Sequence, residues 1–479
     1  MKCIALLFVG LLSAFSCKAQ NDSAVFASVF KEALTHGECY SRLGELCKTI
    51  GSRLSGSDNA EKAVAWGLNM LSSYHFDTVF TQPVMVPRWE RSNTELLTLS
   101  SAVLYKKLKK GVASNYNCEA FEESTRVSRR FRLPAVALGG TVGTAGKLSA
   151  SVVSVHTDAE LDSLGKSGML RGKMVLLNRA FPEENLNTFA SYGACVSQRV
   201  WGASRCAVYG AAAVLVRSMS NRCDLHAHTG VMLYADSVRK IPAMAVATAV
   251  ADMLDQLITE DPRMKITMEL GCRTLPDRQS ANVIAASTGT VYPAKIIAFG
   301  GHFDSWDQGE GAHDDGAGCM HAFEALRILK AIGYKPRHTL CCVWWMNEEN
   351  GLRGATEYAA VASANRESHV AALESDRGGF TPRGFGVDTA ILSRILPFKP
   401  LLEKYGIGTL ENGGGGADIG PLKKYNPSTV LISFIPDSQR YFDVHHAETD
   451  VFENVNKREL ELGAAAVAAM IYILDQELE

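Results

Sequence analysis

Hydrophobic spacing divides the chain into three textures. From Ser23 to about Ile50, apolar Val25, Phe26, Val29, Phe30 and Leu34 recur every three or four positions and predict a helix, which Gly51 ends. A second helix is predicted over Asn59–Ser73, with Ala63, Trp66, Leu68, Met70 and Leu71 as its apolar positions. Phe76–Val86 reads as extended and closes in a turn-like VPRWER. From about Leu133 to Thr274 short valine-rich runs (PAVAL, SVVSV, KMVLL, AAVLV) alternate with glycines and short helical pieces. That texture is a separate module of mixed strands inserted into the flanking domain. After Asn282 the pattern changes to strands Lys295–Phe299, Leu340–Met346, Val370–Leu373 and Thr429–Ile435, with helices over Asp315–Ile332 and Lys457–Leu474. Apolar strands without strict alternation, separated by helices, predict an α/β fold with a central sheet covered on both faces.

A length of 479 residues suits two or three domains. The net charge of −2 argues against nucleic acid as the main partner. The basic stretch Lys106–Arg132 is broken by Glu119, Glu122 and Glu123 and reads as a solvated loop. The N-terminus changes the picture more. Lys2, the apolar run CIALLFVGLLSAF and the small Ala19 form a secretory signal pattern over residues 1–19, too short for a comfortable membrane span. Export, secreted or periplasmic, is therefore expected, with no integral membrane segment in the mature chain. Lipid attachment at Cys17 is the weaker alternative, because Phe15 is bulky. None of the twelve cysteines forms a CxxC pair, so a cysteine-only zinc site is not expected. Cys341 and Cys342 read as core residues, and oxidation could pair Cys39 with Cys47 or Cys195 with Cys206.

Candidate chemistry gathers at strand ends, where ligands bind in open α/β sheets. His302 and Asp304 follow the first of the four late strands, within GHFDSWDQGEGAHDDGAG at 301–318. Asn347-Glu348-Glu349 follow the second, Glu374 and Asp376 the third, and His445-His446 the fourth after a longer loop. If those strands are neighbours, the side chains converge. Clustered carboxylates at a partly buried rim need a counter-charge, and Arg377 is the only nearby base in these motifs. Histidine nitrogens with carboxylate oxygens and no thiolate suit zinc, as one or, more economically, two divalent ions. Taken singly, each residue also has an ordinary reading: Asp315 as a helix cap, Glu348-Glu349 as solvated acids, His445-His446 as structural imidazoles.

Those motifs resemble the zinc-dependent exopeptidases of the aminopeptidase class with a co-catalytic metal pair. The resemblance spans nearly the whole mature chain. It includes GSRLSGSDNAEKA from Gly51, VPRWER at Val86–Arg91, HTG at His228–Gly230, NEENGLRGA at Asn347–Ala355, ESD at Glu374–Asp376 and HHAETD at His445–Asp450. It implies a mixed central sheet with helices on both faces plus an inserted, β-rich, protease-associated-like domain. The expected division is 1–19 signal peptide, 20–132 and 279–479 peptidase domain, and 133–278 insert. The resemblance further implies two zinc ions per chain. Asp314 would bridge them, Glu349 and His446 would complete one, and His302 and Asp376 the other. Asp304 would orient His302 through its second ring nitrogen. Asp315 would be a close neighbour of the site or a helix cap, and Glu348 the general base. His446 is preferred to His445 because it stands four residues before Asp450. ENGGGGADIG at Glu411–Gly420 matches a loop near the substrate, with Asp418 a candidate pocket residue, and His226 and His228 could project from the insert.

The expected activity is hydrolysis of dipeptides or short peptides, from either terminus. A homodimer is an expectation of the resemblance alone. The competing readings are a glutaminyl cyclase on the same fold, which retains one zinc, and a metal-free binding protein. The complete second ligand set, His302 with Asp376, favours hydrolysis over both.

Overall fold

The computed structural model describes residues 22–109 and 130–479. The expected signal segment 1–19, Cys17 and most of the Lys106–Arg132 stretch lie outside the described residues. Among the described residues no helix is long and apolar enough to cross a membrane.

An eight-stranded mixed sheet forms the centre. In spatial order its strands are Thr78–Glu90, Arg273–Ser287, His338–Trp345, Tyr292–His302, Ser368–Glu374, Val430–Pro436, Pro382–Val387 and Thr409–Asn412. The four strands singled out by their chemistry are the four central ones, mutually parallel and adjacent. Their carboxyl ends therefore share one edge. Alternate side chains feed separate cores on the two faces. Ile297, Phe299 and Cys342 meet the helices Ala317–Ala331 and Lys457–Glu477 on one face. Ala298, Cys341 and Val343 meet Arg353–Ala364 and Gly420–Tyr425 on the other. Helices on both faces bury the backbone polar groups of a parallel sheet as well as its side chains.

Two local expectations change. The first helix is interrupted at Gly37-Glu38, giving helices over 22–36 and Cys39–Thr49. VPRWER is strand, not turn: Thr78–Glu90 runs through it with a register shift between Val86 and Arg88. Pro87 has no N–H to give the ladder, and a slip there lets pairing resume. Cys39 and Cys47 are buried free thiols. They sit eight residues apart on one helix, roughly 12 Å along its axis, which no disulfide spans. Cys195 and Cys206 are also buried free thiols.

The middle of the chain builds two smaller sheets. One has five strands, in the order Ala135–Ala137, Ala243–Val246, Ala213–Arg217, Met174–Leu177 and Val152–Val155. The other has four: Arg130–Arg132, Glu95–Ser100, Lys265–Leu270 and Leu148–Ala150. Two strands of the latter precede residue 133, because Glu95–Ser100 finds its ladder partner in Lys265–Leu270. Trp306, from the acidic 301–318 loop, is buried in the core these sheets share. A Cβ on Gly139 would lie 1.8 Å from its ring. Gly139→Ala should therefore misfold this junction, read as a lowered Tm and faster proteolysis.

Candidate active site

The acidic loop is braced from beneath by the N-terminal motifs. Arg53, fully buried, donates from Nε to the Phe303 carbonyl (2.6 Å), from Nη1 to Glu310 O (2.7 Å) and from Nη2 to Gly311 O (3.0 Å). Arg91 pairs with Asp307 through Nε and Nη2 (2.7 and 2.8 Å) and also donates to Ala137 O. Arg53→Met should cost about 3 kcal/mol of stability, roughly 1 kcal/mol for each carbonyl left without a donor. Chemical denaturation would read it as a lower midpoint at unchanged slope.

At the strand edge, His302 is buried, with Nε2 3.1 Å from Asp314 Oδ1 and 3.6 Å from Asp376 Oδ1. Its Nδ1 donates to the Asp304 backbone carbonyl at 3.0 Å, not to the carboxylate, whose Oδ1 is 3.8 Å away. That carboxylate instead accepts the backbone N–H groups of Asn347 and Glu348 (2.8 and 3.0 Å). Asp304 thus ties the ends of two neighbouring strands together. Asp315 accepts from His302 N with Oδ2 and from Gly318 N with Oδ1, so it caps the following helix and anchors the strand end.

His446 Nε2 lies 3.1 Å from Glu349 Oε2 and 3.3 Å from Asp314 Oδ2, whereas His445 Nε2 is 3.6 Å from Asp314 Oδ2. The two imidazoles stack, centroids 3.6 Å apart. The second carboxylate oxygen of Glu349 accepts from Trp306 N. Asp450 holds the backbone of the acidic loop, accepting from His313 N (2.7 Å) and Asp314 N (3.1 Å). The five expected metal-binding side chains are thus brought together. Three overlapping groups, Asp314/His445/His446, His302/Asp314/Glu349 and His302/Asp315/Asp376, each have their ligand atoms within 4.8 Å of one another.

The donor set fits divalent cations. Asp314 Oδ2, Asp304 Oδ2 and Asp376 Oδ1 are buried without hydrogen-bond partners. Among the described residues, histidines are the only basic side chains paired with the Asp314 and Glu349 carboxylates. Burial, then the Asp314 carboxylate, pushes Glu349 up to about 7. Glu348 is half-buried at the pocket wall, and burial holds its carboxyl well above the ordinary range, with Asp376, Glu349 and Asp314 adding to the effect.

The cluster opens into a cavity of about 610 Å³ bordered by the central sheet and by residues from the middle of the chain, among them Tyr192, Arg199 and Leu233. The glycine-rich loop is docked onto the site by Glu374, which accepts from Ala417, Asp418 and Ile419 N (2.8–2.9 Å). Gly415 and Gly416 border the cavity, while Asp418 is buried with both carboxyl oxygens unpartnered. A Cβ at Gly416 would sit 2.3 Å from Glu374 Oε1. His226 pairs with Glu448 at the surface, and His228 is buried with neither ring nitrogen bonded.

Sequence reasoning passed over Thr229, the middle of HTG. Its N–H donates to His446 O (2.9 Å), and its carbonyl lies 3.3 Å from His446 Nδ1. The middle of the chain therefore orients His446 directly. Gly230 follows with φ 131°, where a Cβ would meet Arg199 Cζ and His446 Nδ1 at 2.5–2.6 Å. The HTG match was the available signal, but the motif says nothing of what it touches.

Residues 282–471 match peptidase family M28. Carboxypeptidase Q from Mus musculus is 31% identical over 442 residues, 91% of this chain and 85% of that protein. Carboxypeptidase Q from Homo sapiens is 30% identical over 463 residues, 96% and 89% respectively. Among solved structures, a peptidase M28 precursor from Shewanella amazonensis superposes with a TM-score of 0.84 at 29% identity, covering 95% of this chain and 97% of that one. A zinc aminopeptidase from Bacillus subtilis shares the fold, with a TM-score of 0.60 at 19% identity over 91% of this chain and 93% of that one. The histidine–carboxylate cluster and these likenesses agree: the chain belongs to peptidase family M28 and is a metallopeptidase.

Proposed function

We propose that this protein is an exported zinc exopeptidase that hydrolyses dipeptides or short peptides with two metal ions per chain. The observation that carries the reading is the convergence of His302, Asp314, Glu349, Asp376 and His446 at one edge of the sheet, facing a cavity of about 610 Å³. Asp314 would be shared, with Glu349 and His446 on one side and His302 and Asp376 on the other. Imidazole and carboxylate donors without thiolate suit zinc. When bound, such a pair polarises the scissile carbonyl and lowers the pKa of a water. Glu348 takes that water's proton and later delivers one to the departing amine. Its backbone is held for this task by Asp304. The His302–Asp376 half separates hydrolysis from the one-zinc cyclase alternative. In this reading residues 133–278 form an inserted protease-associated-like unit, supplemented by Glu95–Ser100 and Arg130–Arg132, that narrows the cleft. The glycine loop supports the same wall, and Gly416→Ala should raise KM by pushing that loop off Glu374, measurable in steady-state kinetics.

Metal-free protein should have a distinctive pH dependence. Burial is the first cause pushing Glu349, Glu374 and Asp450 each up to about 7. In unfolded chain such groups titrate near 4 (order of magnitude). Between those values the folded state binds more protons than the unfolded, so stability falls as pH rises through the window. Chelator-treated protein should therefore lose Tm from pH 5 to pH 8, while zinc-loaded protein loses much less. Equal slopes would show that the carboxylates are not neutralised by metal. The export reading rests on residues 1–19, and N-terminal sequencing of exported protein should begin at Gln20.

A further inference from the structure

A closed circuit of contacts runs through the Glu349–His446 pair. Trp306 N donates to Glu349 Oε1 (3.2 Å), and Glu349 Oε2 lies 3.1 Å from His446 Nε2. His446 O accepts from Thr229 N (2.9 Å), and the next residue, Gly230, accepts at its carbonyl from Gly139 N (2.9 Å). Gly139 closes the circuit, because its bare Cα is the surface on which the Trp306 indole rests. The indole also meets the His446 imidazole edge to face, centroids 5.8 Å apart.

Trp306 belongs to two structures at once. Its backbone is part of the acidic loop at the edge of the central sheet. Its side chain, 2% exposed, shares a core with Leu97, Met244 and Leu270 of the two smaller sheets. Nε1 has no hydrogen-bond partner among the described residues, so packing alone places the ring. Asp307 adds a parallel tie: Arg91 holds that carboxylate while donating to Ala137 O (2.7 Å) and Thr229 Oγ1 (3.2 Å). The loop therefore keeps its position at Glu349 only while the smaller sheets keep theirs. The other half of the site is held locally. His302 is bonded by Asp304, Asp315 and Cys319, all from its own strand end and the loop and helix behind it.

Resting on the two-metal reading, we propose that Trp306 is the positioning residue that makes the Glu349–His446 half of the site conditional on the docking of the two smaller sheets. A carboxylate fixed by an N–H and an imidazole fixed by a carbonyl are aligned before a cation arrives. Released from those partners, each loses rotamer freedom on binding. Groups that orient metal ligands in this way are worth roughly 10–100-fold in metal affinity. The effect is reciprocal by linkage, so a cation bound on this side strengthens the seating of the smaller sheets by the same factor. Val231 and Leu233, from the same middle stretch, border the cavity. The metal pair is thus completed only when that wall is in place, and a chain with the smaller sheets undocked keeps at most the His302–Asp376 ion.

The test is a zinc titration of the full chain against a competing chelator, with thermal denaturation of every variant. Trp306→Leu should weaken one of the two zinc equivalents by roughly 10–100-fold and leave the other unchanged. Trp306→Phe, which keeps an aromatic ring against Gly139, should fall between, and it decides the matter if the leucine variant does not fold. Leu254→Ala, a truncation in the same core but outside the circuit, should lower Tm without separating the two affinities. In an Asp376→Asn background, which retains the Glu349–His446 half, the loss caused by Trp306→Leu should persist. In a Glu349→Gln background, which retains the other half, it should vanish. Hydrogen exchange reads the reverse direction: zinc should slow exchange across Gly139 and Thr229 in wild type and much less in Trp306→Leu. Equal weakening of both equivalents, weakening of neither, or the same split in Leu254→Ala would overturn the positioning role and leave the peptidase standing. Wild type that binds fewer than two zinc ions would sink the two-metal reading instead.

Discussion

Glu348→Gln should lower kcat by roughly 10²–10⁴-fold, the usual worth of a positioned general base, while zinc content stays at the wild-type value. The substitution keeps the size of the side chain and the backbone N–H bond to Asp304. It removes only the ability to take a proton from water and return it to the amine. Because the residue beside it, Glu349, pairs with His446 and not with Glu348, the metal cluster is not disturbed. Steady-state kinetics beside elemental analysis would read both halves. Loss of zinc together with activity would make Glu348 a ligand, and near-normal kcat would move the base elsewhere.

Asp314→Asn has the larger effect on the protein as an assembly. Asp314 is the carboxylate approached by both proposed histidine ligands, at 3.1 Å from His302 and 3.3 Å from His446. An amide has one carbonyl oxygen and no charge, so it cannot serve both sides. Both ions should be lost, activity should fall below detection, and the added stability from zinc, the linkage of binding to folding, should vanish. The backbone bond from residue 314 to Asp450 does not involve the side chain and should persist. Elemental analysis that still finds two ions per chain would refute the shared ligand.

The four central strands were legible because each is a predominantly apolar run followed by acid or imidazole side chains. Their adjacency was left open by the sequence, since the strand that follows first in the chain lies on one side of Tyr292–His302 and the next on the other. The grouping of Glu349 with His446 and of His302 with Asp376 came from the family resemblance. What was not legible depends on partners far away in the chain. Asp304 was expected to orient His302 with its carboxylate, but a backbone carbonyl suffices, and the carboxylate holds the Asn347–Glu348 amides instead. Arg53 reaches carbonyls some 250 residues away, and Arg91 bonds Asp307 at similar separation. Nothing in either local motif names those acceptors. The break at Gly37 and the strand through VPRWER are similar cases, since tertiary pairing there overrides local pattern. Arg199 and Thr229 were silent for another reason: they lie more than 200 residues from His446, and their contact with it exists only after folding.

The central claim is a two-metal peptidase, and the most direct measurement is zinc titration of chelator-treated protein while dipeptide hydrolysis is followed. A two-metal peptidase should show no cleavage without metal and activity that climbs to its plateau as the second equivalent of zinc per chain binds. Full activity in excess chelator, or no cleavage by protein carrying two zinc ions, would contradict it.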